Sequence, residues 1–189
     1  LKEQLPNYVQ IVKDEVNDMA EAGAREIQLD APSEATALVN ATSSAADLFE
    51  TLIAPLSDLS DVTRTVHFCL GDISRRPGTE VQNLSSLLPL IQMLDGFVDR
   101  VHIECSHAGQ WADRHLLAEI PDSIEIIAGI ADVKQKPQPV AVLAERIELL
   151  LEIVNEQRLL LSTSCGCGRV PHDEAIRLLR NLVKAARGE

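Results

Sequence analysis

The sequence has little positive charge, few cysteines and no long apolar run, and each shortage argues against a class of protein. Its 189 residues include 17 Lys and Arg against 29 Asp and Glu, a formal net charge of −12, so its surface repels nucleic-acid backbones and anionic membranes. No apolar run reaches the roughly 18 residues that a membrane-spanning helix requires. Four cysteines are too few for a disulfide scaffold. We therefore predict a cytoplasmic protein that acts on a small molecule and binds neither nucleic acid nor membrane.

The composition is that of one ordinary globular domain. Hydrophobic residues make up 46% and charged residues 24% of the chain, and no Pro- or Ser-rich linker divides it. Residues 1–189 are therefore predicted to form a single domain. Because the sequence begins at Leu1 and enters a helical pattern almost at once, we expect the natural polypeptide to start further upstream.

Apolar periodicity alternates between helix and strand along the whole chain. A first helix, ending near residues 22–23, is predicted from an apolar face of Val9, Ile11, Val12, Val16 and Met19. Further helices are predicted at 44–56, 81–95, 111–119, 139–155 and 172–186. The predicted strands are 26–30, 62–68, 100–104, 124–128 and 159–162.

Five strands, each followed by a helix, indicate an α/β fold with a parallel sheet and helical crossovers. A complete eight-stranded β/α barrel needs about 200 to 250 residues, so we interpret the chain as the last five β/α units of such a barrel. The open sheet edges of a partial barrel would favour self-association, or pairing with a missing N-terminal half.

Polar residues with metal-binding or acidic side chains follow several of the predicted strands. They are Asp30, His67, Cys69, Glu104 and Cys165. In β/α barrels the carboxyl ends of the strands form the active-site face. The pattern therefore predicts one common site at that end of the sheet.

These residue types suit zinc. His67 and Cys69 lie two positions apart, so their side chains point to the same side of a regular strand. Zinc accepts thiolate sulfur, imidazole nitrogen and carboxylate oxygen in a tetrahedral shell. Glu104 would be the most displaceable ligand, and the remaining sulfur would come from Cys165, with Cys167 as the alternative. A thiol bound to such an ion is deprotonated, which makes it a nucleophile.

Other histidines and cysteines have simpler structural interpretations. We expect Cys105 to be a buried residue that packs in the core. His102 is expected to be a core histidine, and His172 to lie near the start of the last helix. We expect His107 and His115 to lie at the surface.

Four short segments resemble one known family. IQLDAP at 27–32 resembles the family's IQxDEP, HFC at 67–69 its HxC, IE at 103–104 its IE, and SCG at 164–166 its DCG. They occur in the same order and at similar spacings as in cobalamin-independent methionine synthase, over essentially the whole chain.

The resemblance implies a specific activity and a specific ligand set. It implies a β/α barrel in which His67, Cys69, Glu104 and Cys165 hold zinc and Asp30 binds the amino group of homocysteine. A methyl group would pass from 5-methyltetrahydrofolate to the homocysteine sulfur and give methionine.

The segments also depart from the family pattern. Ala31 stands where the family usually has Glu, and Ala-Asp-Val-Lys at 131–134 replaces a region that carries a proposed proton-donating His in longer members. The barrel's first strands have no counterpart in this sequence. A corrinoid methyl donor, another thiol such as coenzyme M, and a non-catalytic half-barrel zinc module that needs a partner chain therefore stay as alternatives.

Overall fold

The computed structural model describes residues 5–71, 75–76, 78–80 and 83–189, which contain a parallel five-stranded sheet. Its strands lie in the order β1-β2-β3-β4-β5, and every neighbouring pair is parallel. They are β1 (Glu26–Asp30), β2 (Thr63–Phe68), β3 (Arg100–Glu104), β4 (Glu125–Ala131) and β5 (Leu159–Thr163). Strands that pair in sequence order are typical of a β/α barrel, whereas a doubly wound sheet reverses its order at a switch point. The prediction of five parallel strands is confirmed.

Seven α-helices flank this sheet in the described part of the chain. They are α1 (Leu5–Glu21), α2 (Pro32–Val39), α3 (Ala45–Leu56), α4 (Leu88–Met93), α5 (Ala108–Ala112), α6 (Val140–Leu151) and α7 (His172–Arg187). Two 3-10 segments, Asp113–Glu119 and Glu156–Arg158, precede β4 and β5. None of the helices described is both long enough and apolar enough to span a membrane.

Two helices differ from the sequence prediction because of proline. No helix was predicted at 32–39, but Pro32 is the first residue of α2, where a first-turn proline lacks no needed N–H. The predicted helix 81–95 is observed only as α4, whose first turn contains Pro89. Val81, where that helix was predicted to begin, lies outside the described residues.

Alternate residues of the strands face opposite layers. Val66, Phe68 and Val101 are fully buried apolar side chains, and they join the core between sheet and helices. Their neighbours Thr65 and His67 are polar yet also buried, on the opposite face of the pleat. The inner face of the sheet is therefore polar toward its carboxyl end.

The apolar face predicted for the first helix is only partly buried. Val16 is 3% exposed, but Ile11 is 63% and Met19 44% exposed. The helix packs against α3 and β1, and nothing in the described residues covers its outer side. Periodicity identified the helix correctly but not which of its apolar residues are buried.

Candidate metal centre

The strand register brings the predicted site residues to one edge of the sheet. Asp30 pairs with His67 between β1 and β2, and Phe68 pairs with Ile103 between β2 and β3. The next residues along these strands, Cys69 and Glu104, are therefore neighbours. Because all five strands are parallel, their carboxyl ends meet at this edge.

A close backbone approach at Gly129 sets the position of the fifth strand. A Cβ at Gly129 would come within 2.9 Å of Ser164 Cα and within 3.0 Å of the Ile103 carbonyl oxygen. The β4–β5 register shifts between Gly129 and Ala131, and beyond the shift the Ser164 N–H donates to the Ala131 carbonyl at 2.8 Å. Glycine at 129 thus allows the segment that carries Cys165 to reach the site.

Three side chains converge at this point. One ligand atom from each of His67, Cys69 and Cys165 lies within 4.8 Å of the other two. The two sulfurs are 3.9 Å apart. Two sulfurs bound to one tetrahedral zinc at about 2.3 Å would lie about 3.8 Å apart. The observed spacing therefore fits zinc closely.

Hydrogen bonding leaves one nitrogen of His67 available to a metal. Its Nδ1 lies 3.2 Å from the His102 carbonyl oxygen, which only an Nδ1–H can satisfy. Its Nε2 is buried, and no hydrogen-bond partner for it is found among the described residues. A ring that donates through one nitrogen and presents a lone pair on the other is the usual form of a metal-binding histidine.

The ring of His102 packs against the ring of His67. Its ring centroid lies 4.1 Å from that of His67, and its Nε2 is 3.0 Å from the Thr163 carbonyl oxygen. Burial, with a smaller contribution from His67, lowers the pKa of His102 to about 4. It is therefore a neutral, buried histidine at neutral pH, in agreement with the prediction of a core residue.

The two thiols share their protons unequally. The contact with the Cys69 sulfur, and the proximity of His67, lower the pKa of Cys165 to about 4. The same sulfur contact, together with burial, raises the pKa of Cys69. Cys165 therefore loses its proton easily. Cys69 loses its proton only when a positive charge, such as that of a divalent cation, takes the place of the proton.

Glu104 lies beside this group but outside it. Its side chain is 1% exposed and forms an ion pair with the Nζ of Lys134. The Leu70 N–H donates to its other carboxylate oxygen at 3.1 Å. Sequence reasoning did not identify Lys134 as part of the site. The only signal was the Asp-Val-Lys segment, which we treated as a departure from a family pattern.

Asp30 borders the cleft that opens above the sulfurs. The cleft has a volume of about 940 Å³, and Asp30, Cys69 and Cys165 all line it. The Asp30 carboxylate is exposed and accepts a hydrogen bond from Gln28 Nε2 at 2.8 Å. Its remaining lone pairs can therefore reach a molecule in the cleft. The other polar side chains that line the cleft are Ser33, Thr36, Asn40, Thr42 and Arg169.

The remaining candidates take structural positions. Cys105 is fully buried, and burial raises its pKa to about 12, as suits a packing residue. Cys167 is partly buried and is absent from the three-residue group. His115 is exposed, His107 is half-buried, and His172 is the first residue of α7.

Comparison with known proteins identifies the family. The family model described as "Cobalamin-independent synthase, Catalytic domain" matches residues 1–188. The chain belongs to this family. The resemblance inferred from the four segments is thereby confirmed.

Solved structures show the same fold as this cobalamin-independent synthase domain. A B12-independent methionine synthase from Shewanella sp. W3-18-1, in complex with selenomethionine, superposes with a TM-score of 0.77 at 21% identity over 95% of this chain and 52% of that one. A putative vitamin-B12 independent methionine synthase from Listeria monocytogenes gives 0.65 at 18% identity over 99% of this chain and 55% of that one. A search of curated proteins found no match.

The cobalamin-independent synthase domain described here spans about half the length of these two solved chains. Its sheet is open between β1 and β5 in the described residues. The five-stranded sheet therefore corresponds to a segment of the β/α barrel, as the alternation of strands and helices predicted.

Proposed function

We propose that this chain carries the zinc site of a thiol methyltransferase, which moves a methyl group from 5-methyltetrahydrofolate or a corrinoid donor to homocysteine. The convergence of His67, Cys69 and Cys165 is the observation that supports this proposal most directly. A zinc ion bound there would lower the pKa of a coordinated substrate thiol, so that its sulfur would be a thiolate at neutral pH. The setting would be the cytoplasm.

The residues of the site have separate tasks in this proposal. His67, Cys69 and Cys165 would hold the ion, with Glu104 as the fourth predicted ligand. Asp30 would accept hydrogen bonds from the substrate's ammonium group and orient its sulfur toward the ion. The substrate thiol would release its proton to solvent, and an S–CH3 bond would form as the bond between the methyl group and the donor's nitrogen or cobalt breaks. The electron pair of the broken bond would stay on the donor, and a folate nitrogen would take up a proton as it leaves.

A second candidate is a zinc module that requires further β/α units to become catalytic. The exposed apolar side chains of α1 and the unpaired edges of the described sheet favour it. Such a module would bind zinc and thiols but would not transfer methyl groups by itself. A third candidate acts on a thiol without an amino group, such as coenzyme M, and would not depend on Asp30.

The test is to measure the zinc content of the purified chain and its zinc-edge X-ray absorption while homocysteine is added. We expect about one zinc per chain, with two sulfur neighbours at first and three after titration, because the substrate sulfur enters a tetrahedral shell. Methyl transfer from each donor class is then assayed on the same sample. Zinc and thiol binding without any transfer would favour the module that needs further units.

Paired variants provide the control. Cys165→Ser should lower zinc affinity by more than about 100-fold, since even residues that only orient metal ligands contribute about 10- to 100-fold. Cys167→Ser, two residues away, should leave zinc affinity unchanged. Normal zinc content in Cys165→Ser would contradict the proposed site.

A further inference from the structure

One acidic and one basic side chain line the cleft above the sulfurs. Among the described residues that form its walls, Asp30 is the only acidic residue and Arg169 the only basic one. Asp30 ends β1 and Arg169 follows β5, so the two residues come from opposite edges of the sheet. The cleft therefore presents one negative and one positive charge, and Cys69 and Cys165 line the same space.

These two charges are not paired with each other. In the described part of the chain no ion pair joins Arg169 to Asp30 or to any other carboxylate. The Arg169 side chain is exposed, so its N–H donors are open to a ligand. Opposite charges that line one cleft without contact attract the complementary groups of a bound molecule.

Hydrogen bonds hold the backbone from which Arg169 extends. Thr163 Oγ1 donates to the Cys165 carbonyl at 2.8 Å, and the Val170 N–H donates to the Cys167 carbonyl at 3.0 Å. The turn that carries Arg169 is therefore fixed relative to the segment that carries the Cys165 sulfur. An arginine in this turn can contact a molecule whose sulfur lies beside Cys165.

Two glycines keep this part of the cleft open. Gly166 and Gly168 line the cleft together with Arg169, and a Cβ at either position would meet nothing within 4 Å. A ligand can therefore approach the backbone beside the Cys165 sulfur. The cleft volume of about 940 Å³ lies in the range of pockets that hold drug-sized ligands, so an amino acid leaves room for part of a methyl donor.

We propose that Arg169 binds the carboxylate of the substrate while Asp30 binds its ammonium group, so that the site selects a thiol that is also an α-amino acid. An α-amino acid carries these two opposite charges on one carbon. A guanidinium group can bind a carboxylate through two parallel N–H···O bonds. Arg169 is then a specificity-determining residue, because a thiol without a carboxylate loses one of the two contacts. This inference rests on the proposed function, which places the substrate sulfur at a metal held by Cys69 and Cys165.

The test measures the affinity of the zinc-loaded chain for three thiols by calorimetric titration. They are homocysteine, 3-aminopropane-1-thiol, which is homocysteine without its carboxylate, and 4-mercaptobutanoic acid, which is homocysteine without its amino group. Arg169→Gln should weaken the binding of the two carboxylate-bearing thiols about tenfold, because a charged hydrogen bond in a partly open cleft is lost. The affinity for 3-aminopropane-1-thiol should not change.

Two further variants serve as controls. Arg169→Lys keeps the charge but cannot form the two parallel hydrogen bonds, so its affinity for homocysteine should lie between those of Arg169→Gln and the unmodified chain. Arg177→Gln removes another exposed arginine, which lies on α7 and does not line the cleft. It should leave all three affinities unchanged.

The contrary results separate this inference from the proposed function. Equal weakening of all three thiols by Arg169→Gln would overturn the inference, because the carboxylate would not be the group that Arg169 recognises. Unchanged homocysteine affinity in Arg169→Gln would also overturn it, and a raised KM for the methyl donor in that variant would assign Arg169 to the donor's carboxylates. The proposed function stands in both cases, because the unmodified chain still binds zinc and thiol. If the unmodified chain bound neither zinc nor homocysteine, the proposed function would fail, and this inference with it.

Discussion

The two ends of the sheet differ in how their polar side chains are paired. At the amino end, Arg100 lies between two carboxylates, with Nη1 2.9 Å from Glu26 and Nε 2.5 Å from Glu125. Thr65 Oγ1 also donates to Glu26 at 3.0 Å. At the carboxyl end, the buried His67 Nε2 has no partner among the described residues, and two sulfurs face each other.

This difference separates structural groups from functional ones. Arg100, Glu26 and Glu125 pair with one another at the amino end, so a bound ligand would gain little from them. A buried polar atom with no partner costs about 1–3 kcal/mol, and a bound cation that accepts the lone pair would offset that cost. A ligand is therefore expected at the carboxyl end, beside the unpartnered His67 Nε2. Each prediction below tests one part of this contrast.

The largest effect is expected from Gly129→Ala at the carboxyl end. The added methyl group would meet backbone atoms of β5 and β3 at 2.9–3.0 Å, and backbone cannot move aside as a flexible side chain can. We expect the free energy of unfolding to fall by at least about 2 kcal/mol and zinc affinity to fall with it, because the segment with Cys165 is displaced. Gly166→Ala is the matched control, since a Cβ there meets nothing within 4 Å. Equal losses in both variants would contradict the close-packing argument.

His102 should make the metal-free protein sensitive to acid. Its pKa is about 4 when folded against an ordinary value of 6.5, so the unfolded chain takes up a proton first as the pH falls. The stabilisation is complete above pH 6.5 and is lost as the pH falls toward 4. Between pH 7 and pH 5 this amounts to roughly 2 kcal/mol.

Urea unfolding of His102→Gln at the two pH values measures that contribution. The difference between pH 7 and pH 5 should shrink in this variant, whose amide can still donate to the Thr163 carbonyl. His115→Gln, at an exposed position, should keep the full difference. An unchanged pH dependence in His102→Gln would mean that another group causes it.

A smaller and more selective effect is expected at the cleft from Asp30→Asn. A hydrogen bond to a charged group contributes about 1.5–3 kcal/mol, so the KM for homocysteine should rise about 10- to 100-fold, without loss of zinc. The control is 4-mercaptobutanoic acid, which is homocysteine without its amino group and should bind equally well to both forms. If Asp30→Asn weakened both thiols alike, Asp30 would not bind the amino group.

The sequence predicts the sheet well because strand signals are local. Apolar runs bounded by Gly, Pro and Asp located β1 and β3 to the residue, and strand ends located the polar side chains. The burial of the apolar residues of α1 depends on which elements pack against the helix. Apolar periodicity in the sequence carries no information about those partners. The pairing of Lys134 with Glu104 joins residues 30 positions apart through a loop whose shape depends on Asp132, Ser164 and Gln138. Spacing alone could not predict it.

The smallest effect is expected at the amino end, from Arg100→Met. The hydrogen bonds and charge of Glu125 and Glu26 raise the pKa of Arg100, so its charged form is favoured. Because the ion pairs are partly exposed, solvent screens their attraction, and each contributes about 0–1 kcal/mol. We expect a loss of about 1 kcal/mol in the free energy of unfolding, smaller at high salt. Zinc affinity should be unchanged, because the substitution lies at the opposite end of β3 from Glu104. A loss of zinc affinity comparable to that of Gly129→Ala would show that the two ends of the sheet are coupled, and the separation of structural from functional groups would then be wrong.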